Sequence, residues 1–363
     1  MAKSRTPSPK GGREVVHRAA RIEDAFHEFR EKRARKHGAV STVVPYTGYG
    51  STTWLRVLGR VVLTKAAKPG SRAERKFHKR EESIRGWRSF TSVPGKSARV
   101  AVQVDGTSHH VQADRGGVID TTVEVNLSPG WHTITLQPDD STVVSEAPVF
   151  IVDPETGFGV VSDVDDTVMV TAIPRPLLAA WNTFVRNEHA RVPTPGMAVF
   201  LERLASTRHG VPVIYLSTGA WNVAPTLTRF LSRNLFPAGP LLLTDWGPTH
   251  DRWFRSGRAH KEESLERLAQ EFPGFRWLLV GDDGQHDEEI YGAFAQRHPE
   301  AIAAVAIRQL SPGEAVLAGR GTPAERRSHV AGAPWVYAPD GAGLLDKLIR
   351  AGVIGRYRRH DLP

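Results

Sequence analysis

The sequence contains no cysteine, which excludes disulfides, thiolate nucleophiles and cysteine-held metals. It has no run near the ~18 consecutive apolar residues of a spanning helix. The basic start, "MAKSRTPSPKGGREVV", has no apolar core behind it, so no signal peptide is expected. These absences fit a cytoplasmic protein, peripheral on a membrane if its basic segments meet one. Negative charge is scarce in two places. Residues 1–40 hold eleven Lys/Arg against five Asp/Glu, and residues 65–99 hold eleven against three. The chain as a whole is +9, so the remainder is net acidic. Such basic runs serve nucleic acid, an anionic membrane surface or plain solvation.

What is present divides the chain into three. Residues 1–40 are a basic tail followed by an amphipathic helix over 14–37, with Val15, Ala19, Ile22, Ala25, Phe26 and Phe29 at helical spacing. Residues 41–152 carry short alternating β-branched runs: "TWLRVLGRVVL", "SARVAVQVDG", "DTTVEVNL", "WHTITLQP" and "APVFIV". They predict a small antiparallel sandwich or barrel. "PYTGYGST" is expected as a loop before its first strand, and residues 70–88 as a basic helical insert. From 153 to 363 apolar strands alternate with helices. The strands are "GVVSDVDD", "VPVIYLST", "GPLLLTDW", "FRWLLVGDD" and "IAAVAIRQ"; the helices include Pro195–Ser206, Val223–Leu235 and Lys261–Phe272. This alternation predicts an α/β fold with a parallel sheet covered on both faces. Ligands of such sheets bind at the carboxyl ends of the strands.

Polar residues gather at those ends. The first strand ends in Asp163, Asp165, Asp166 and Thr167; the second in Ser217, Thr218 and Gly219; the fourth in Asp282 and Asp283, with Asp287 beyond. Lys261 is expected at the start of the helix feeding the fourth strand. In an extended chain Asp163 and Asp165 face the same way and Asp166 the other. Clustered carboxylates call for a cation, and an all-oxygen ligand set favours Mg²⁺. Carboxylate, magnesium, lysine and hydroxyl together describe phosphoryl transfer through a carboxylate nucleophile.

The ordered set "DVDDT", "YLST", "HKEES" and "GDDGQHD" resembles the haloacid dehalogenase phosphatase superfamily over roughly residues 156–310. More narrowly, "SDVDDTVMVT", "PTPGM", "YLSTGAWN", "LLLTDWG", "RSGRAHK" and "GDDGQHDEEIY" resemble the actin-patch phosphatidate phosphatase family. That likeness reaches back to "VPYTGYGSTTWLRVLGRV". The resemblance implies a Rossmann-like sheet of the haloacid dehalogenase type with a minimal cap. It implies Asp163 as nucleophile, forming an aspartyl-phosphate, and Asp165 as general acid–base. Ser217 would bind phosphate, and Lys261 would steady nucleophile and phosphate; by their own chemistry the hydroxyls and amides of Ser217, Thr218 and Gly219 suit phosphate oxygens. Mg²⁺ would be held by Asp163, the Asp165 carbonyl and Asp282, with Asp283 and Asp287 as further ligands or neighbours. The implied substrate is phosphatidate, giving diacylglycerol. The family's S-x-S-P-W is "STGAW" here, so Gly219 and Ala220 replace a serine and a proline.

Plainer readings stand beside these. Asp163 and Asp287 are residue types that cap turns and helices, Ser217 suits a strand-end turn, and His260 a loop. Residues 171–195 carry Leu177, Leu178, Trp181, Phe184 and Val185 at helical spacing. That suits core packing or a small lid. Rival functions are a phosphatase of soluble or nucleic-acid phosphate esters and a non-enzymatic membrane-binding scaffold. The β segment lacks an evident stacking platform for bases, and the intact acids argue against a retired site.

Overall fold

In the computed structural model the described residues are 29–65, 93–170, 192–207, 210–244, 250–284, 286–317 and 328–355. The basic insert at 70–88, most of the expected lid (171–191) and residues 14–28 of the N-terminal helix lie outside them. Residues 29–36 are helical.

The first sheet has nine strands: β1 (Ala39–Pro45), β2 (Gly48–Ser51), β3 (Trp54–Lys65), β4 (Val93–Pro94), β5 (Arg99–Val104), β6 (Thr107–Gln112), β7 (Val118–Glu124), β8 (Gly130–Pro138) and β9 (Ser145–Val152). Its path runs β1-β3-β2-β9-β8-β5-β6, with β4 and β7 also paired to β3. The alternating pattern of each run buries one face. Val100, Val102 and Val104 of β5 join Leu55, Val57, Ile134, Leu136, Val149 and Ile151 in one apolar cluster. The stretch expected as a loop, "PYTGYGST", is instead largely strand. Its residues 48–51 pair antiparallel with β3 and parallel with β9. Glycine weakens a strand by its own propensity, but here close approach demands it. A Cβ on Gly50 would lie 2.1 Å from the Trp54 carbonyl oxygen.

The second sheet holds β10 (Phe158–Asp163), β13 (Val213–Ala220), β14 (Leu241–Thr244), β15 (Arg276–Asp282), β16 (Ile302–Arg308), β17 (His329–Val330) and β18 (Ala333–Ala338). The order is β14-β13-β10-β15-β16-β18-β17. All pairs are parallel except β17 with β18. β11 (Met169–Val170) and β12 (Val192–Pro193) form a separate ribbon. The helices are α1 (Met197–Ala205), α2 (Ala224–Arg233), α3 (His250–Glu271), α4 (Asp287–Arg297), α5 (Pro312–Leu317) and α6 (Gly341–Arg350). Consecutive strand residues point to opposite faces, and Val160 and Val161 are both fully buried. Both faces of β10 are therefore covered, and two helix pairs pack together, α1 with α6 and α3 with α4. The chain runs from β10 out through β13 to β14, then returns to the other side of β10 at β15. The strand order reverses at β10, and ligands of such sheets bind beyond the carboxyl ends of the strands at that point.

Candidate active site

β10 ends at Asp163, and the chain then leaves extended geometry. Asp166 adopts a left-handed φ of 57°. Met169 N and Val168 N both donate to the Val164 carbonyl at 3.1 Å, and Asp166 N donates to the Met169 carbonyl at 2.8 Å. The two carboxylates take different partners. Asp163 Oδ1 accepts from Lys261 Nζ at 2.6 Å, and Asp165 Oδ2 accepts from Ser217 Oγ at 2.9 Å.

Lys261 does not begin a helix. α3 starts at His250, eleven residues earlier than expected, and Lys261 sits within it. Gly257, one turn before it, reads as a helix breaker but serves close packing. A Cβ there would lie 3.0 Å from Thr218 Cγ2. The lysine is buried, and its second bond goes to Asp287 Oδ1, also at 2.6 Å. Burial disfavours its charge, but Asp163 and Asp287 more than offset this, so its pKa is raised.

Asp282 ends β15, beside β10. Its Oδ1 accepts from Gly284 N at 2.6 Å. Asp287 opens α4, yet its carboxylate does more than cap: Oδ2 accepts from Asp282 N at 3.3 Å. One carboxylate oxygen each from Asp163, Asp282 and Asp287 lie within 4.8 Å of one another, all three residues buried. Burial raises the Asp163 pKa well above the usual carboxylate range; Lys261 opposes this, and Asp287 and Asp165 reinforce it. Asp282 is raised by burial and then by Asp287, Asp163 and Asp166. Three carboxylates against one ammonium leave negative charge uncompensated, and Asp163 Oδ2 and Asp282 Oδ2 are buried without hydrogen-bond partners. An oxygen-only set with orphaned oxygens fits a hard divalent cation such as Mg²⁺. The Asp283 carboxylate lies outside this trio and accepts from Leu310 N at 2.9 Å.

Ser217, Thr218 and Gly219 lie in β13, which runs on to Ala220. Ser217 Oγ also accepts from Gly219 N at 3.0 Å, so that amide is engaged within the segment. Thr244 Oγ1 bonds the carbonyls of Thr218 and Gly219 at 3.1 and 3.2 Å. Asp245 and Trp246 of "LLLTDWG" lie outside the described residues. His260 is a helix residue, not a loop one. Its Nε2 is buried without a partner, and burial lowers its pKa to about 4.

Sequence reasoning missed Arg308. It ends β16 opposite Asp282. Its buried guanidinium donates to the Asp166 carbonyl at 2.7 Å and to Glu314 Oε1 at 2.7 Å. It therefore ties down the turn that carries Asp165. Its place at the end of a parallel strand was the available signal.

Residues 158–309 match the family model described as "Phosphatidate phosphatase APP1, catalytic domain". Over 154 residues the chain is 28% identical to "Phosphatidate phosphatase APP1" of Saccharomyces cerevisiae, covering 42% of this chain and 26% of that one. It is 27% identical over 176 residues to an uncharacterized protein of Schizosaccharomyces pombe, covering 46% and 27%. The match thus spans about a quarter of the length of these curated relatives. The family resembled by the motifs is the family matched. Among solved structures, a carbohydrate acetylesterase from Xanthomonas citri aligns over 77% of this chain and 73% of its own, at 11% identity and a TM-score of 0.28. A likeness that low carries no argument.

Proposed function

We propose that this chain is a Mg²⁺-dependent phosphomonoesterase of the haloacid dehalogenase type, acting through an aspartyl-phosphate and hydrolysing phosphatidate to diacylglycerol. The observation that carries the chemistry is the buried contact set at the strand ends: Lys261 between Asp163 and Asp287, Asp282 beside them, and Ser217 on Asp165. The match of residues 158–309 supports the substrate.

The Asp163 carboxylate attacks phosphorus as the ester P–O bond breaks. Asp165 gives its proton to the departing alcohol oxygen. It then takes a proton from water, which attacks the aspartyl-phosphate and frees inorganic phosphate and Asp163. Ser217, hydrogen-bonded to Asp165, aligns that acid and turns its hydroxyl to a phosphoryl oxygen. Lys261 favours the ionised form of Asp163 against burial and offsets phosphoryl charge. Asp163, Asp282 and the Asp165 carbonyl would hold Mg²⁺, with Asp287 and Asp283 nearby, and the ion would supply Lewis-acid stabilisation of phosphoryl oxygens. Arg308 keeps the Asp165 turn in place. The basic segments hold an anionic bilayer, each Lys/Arg near it contributing ~1 kcal/mol.

The test is phosphate release from phosphatidate vesicles, a soluble monoester, a phosphopeptide and a 5′-phosphorylated oligonucleotide, with Mg²⁺ or with chelator. Fastest Mg²⁺-dependent release from phosphatidate, abolished by Asp163→Asn, is expected. Release that survives Asp163→Asn removes the mechanism, and preference for another ester removes the substrate.

A further inference from the structure

Tyr46 brings the N-terminal sheet against the end of the segment that carries Ser217. Tyr46 lies between β1 and β2, its amide bonded to the Leu58 carbonyl at 3.1 Å. Its ring stacks on Trp221, with centroids 4.9 Å apart and planes 11° apart. Its hydroxyl donates to the Trp221 carbonyl at 2.9 Å. Both side chains are buried. Trp221 follows directly on the end of β13, where Ser217, Thr218, Gly219 and Ala220 lie. The same carbonyl accepts from Ala224 N, closing the turn that enters α2.

The Ser217–Ala220 segment is thus held from two sides. On the sheet side, Thr244 grips its carbonyls and Ser217 is tied to Asp165. On the other, the turn at Trp221 is pinned by a ring and a hydroxyl from a different sheet. A segment whose hydroxyl must meet a phosphoryl oxygen has to be placed to within ~0.5 Å. We infer that Tyr46 is a positioning residue for the Ser217–Trp221 segment, so that the N-terminal sheet is part of the phosphate-holding apparatus. This deepens the phosphatase reading and rests on it for its catalytic consequence; the mechanical coupling does not.

Tyr49 provides an internal control. It belongs to the same stretch and the same interface, but its hydroxyl donates to Glu271 at the end of α3, at 2.8 Å. Hydrogen exchange of the full-length protein, read by mass spectrometry over residues 216–223, is the decisive measurement. Tyr46→Phe keeps the stack and loses one hydrogen bond, so exchange there should quicken roughly 2- to 12-fold. Tyr46→Ala, which also loses the ring, should quicken it further. Tyr49→Phe should leave residues 216–223 unchanged. In parallel, Tyr46→Phe should lower kcat/KM for the preferred ester by a similar factor, chiefly through KM. Unchanged exchange over 216–223 in Tyr46→Phe, or an equal increase in Tyr49→Phe, overturns the inference. If the wild-type protein releases no phosphate, the phosphatase reading fails, while exchange still decides whether Tyr46 holds the segment.

Discussion

Replacing Lys261 by methionine keeps the length of the side chain and removes the cation from the centre of the carboxylate trio. The lysine makes two buried bonds, each 2.6 Å, to Asp163 and Asp287. Removing one partner of a buried ion pair costs about 3–5 kcal/mol. For a unit of this size, that is a fall in Tm of roughly 6–20 °C. The pH dependence identifies the cause. Asp163 and Asp282 have folded pKa values above the unfolded one, so they favour folding in acid and lose that contribution as pH rises through the folded values. Lys261 opposes the upward shift of Asp163, and the variant lacks that opposition. Its deficit should therefore narrow in acid, by up to about 1.4 kcal/mol per pH unit for each carboxylate that takes a proton. Thermal melts of both proteins with chelator, at about pH 7.5 and about pH 5.5, measure this. Adding Mg²⁺ should stabilise both. A variant within about 1 kcal/mol of wild type at the higher pH, or a deficit equal at both, refutes the reasoning that uncompensated buried charge governs this site.

Gly281→Ala would put a Cβ 2.6 Å from Asp287 Oδ2 and 2.7 Å from Tyr291 Cε2, and Asp287 is pinned by Lys261. A loss of about 1–3 kcal/mol in chemical denaturation is expected, together with loss of phosphate release. Arg308→Met leaves the Asp166 carbonyl without its guanidinium. Stability should drop by about 1.5–3 kcal/mol, and kcat should fall with little change in Mg²⁺ requirement, read in the release assay. His260 is held neutral, with a folded pKa of about 4. The unfolded value is ~6.5, so its contribution is full above that and lost as pH falls toward the folded value. His260→Gln should flatten the stability profile across that window relative to wild type, by at most about 3 kcal/mol; parallel profiles would contradict it.

Much of the site was legible because its residues fall at strand ends, and an alternating strand–helix grammar brings such ends together. Asp163, Ser217 and Asp282 could be grouped that way, since β13, β10 and β15 are neighbours. Past the end of β10 the left-handed Asp166 and the Val164 carbonyl build a local turn, and its tie to Arg308 of β16 had no signature in local spacing. "PYTGYGST" was harder to read. Glycine and proline mark loops by local propensity, while β2 exists because β3 and β9 flank it and leave no room for a Cβ.

By itself the sequence determined which residue types are present, the periodicity that makes strands and helices, and the order of polar words along the chain. These are local properties, set by side-chain chemistry and backbone propensity. Only the tertiary structure decided partners across long separations. It put Lys261 in the body of α3, Arg308 behind the Asp166 turn and Tyr46 against Trp221. Those contacts join residues 98, 142 and 175 positions apart. No pattern of spacing encodes them, because packing of separate elements, not chain neighbourhood, brings the atoms within bonding distance.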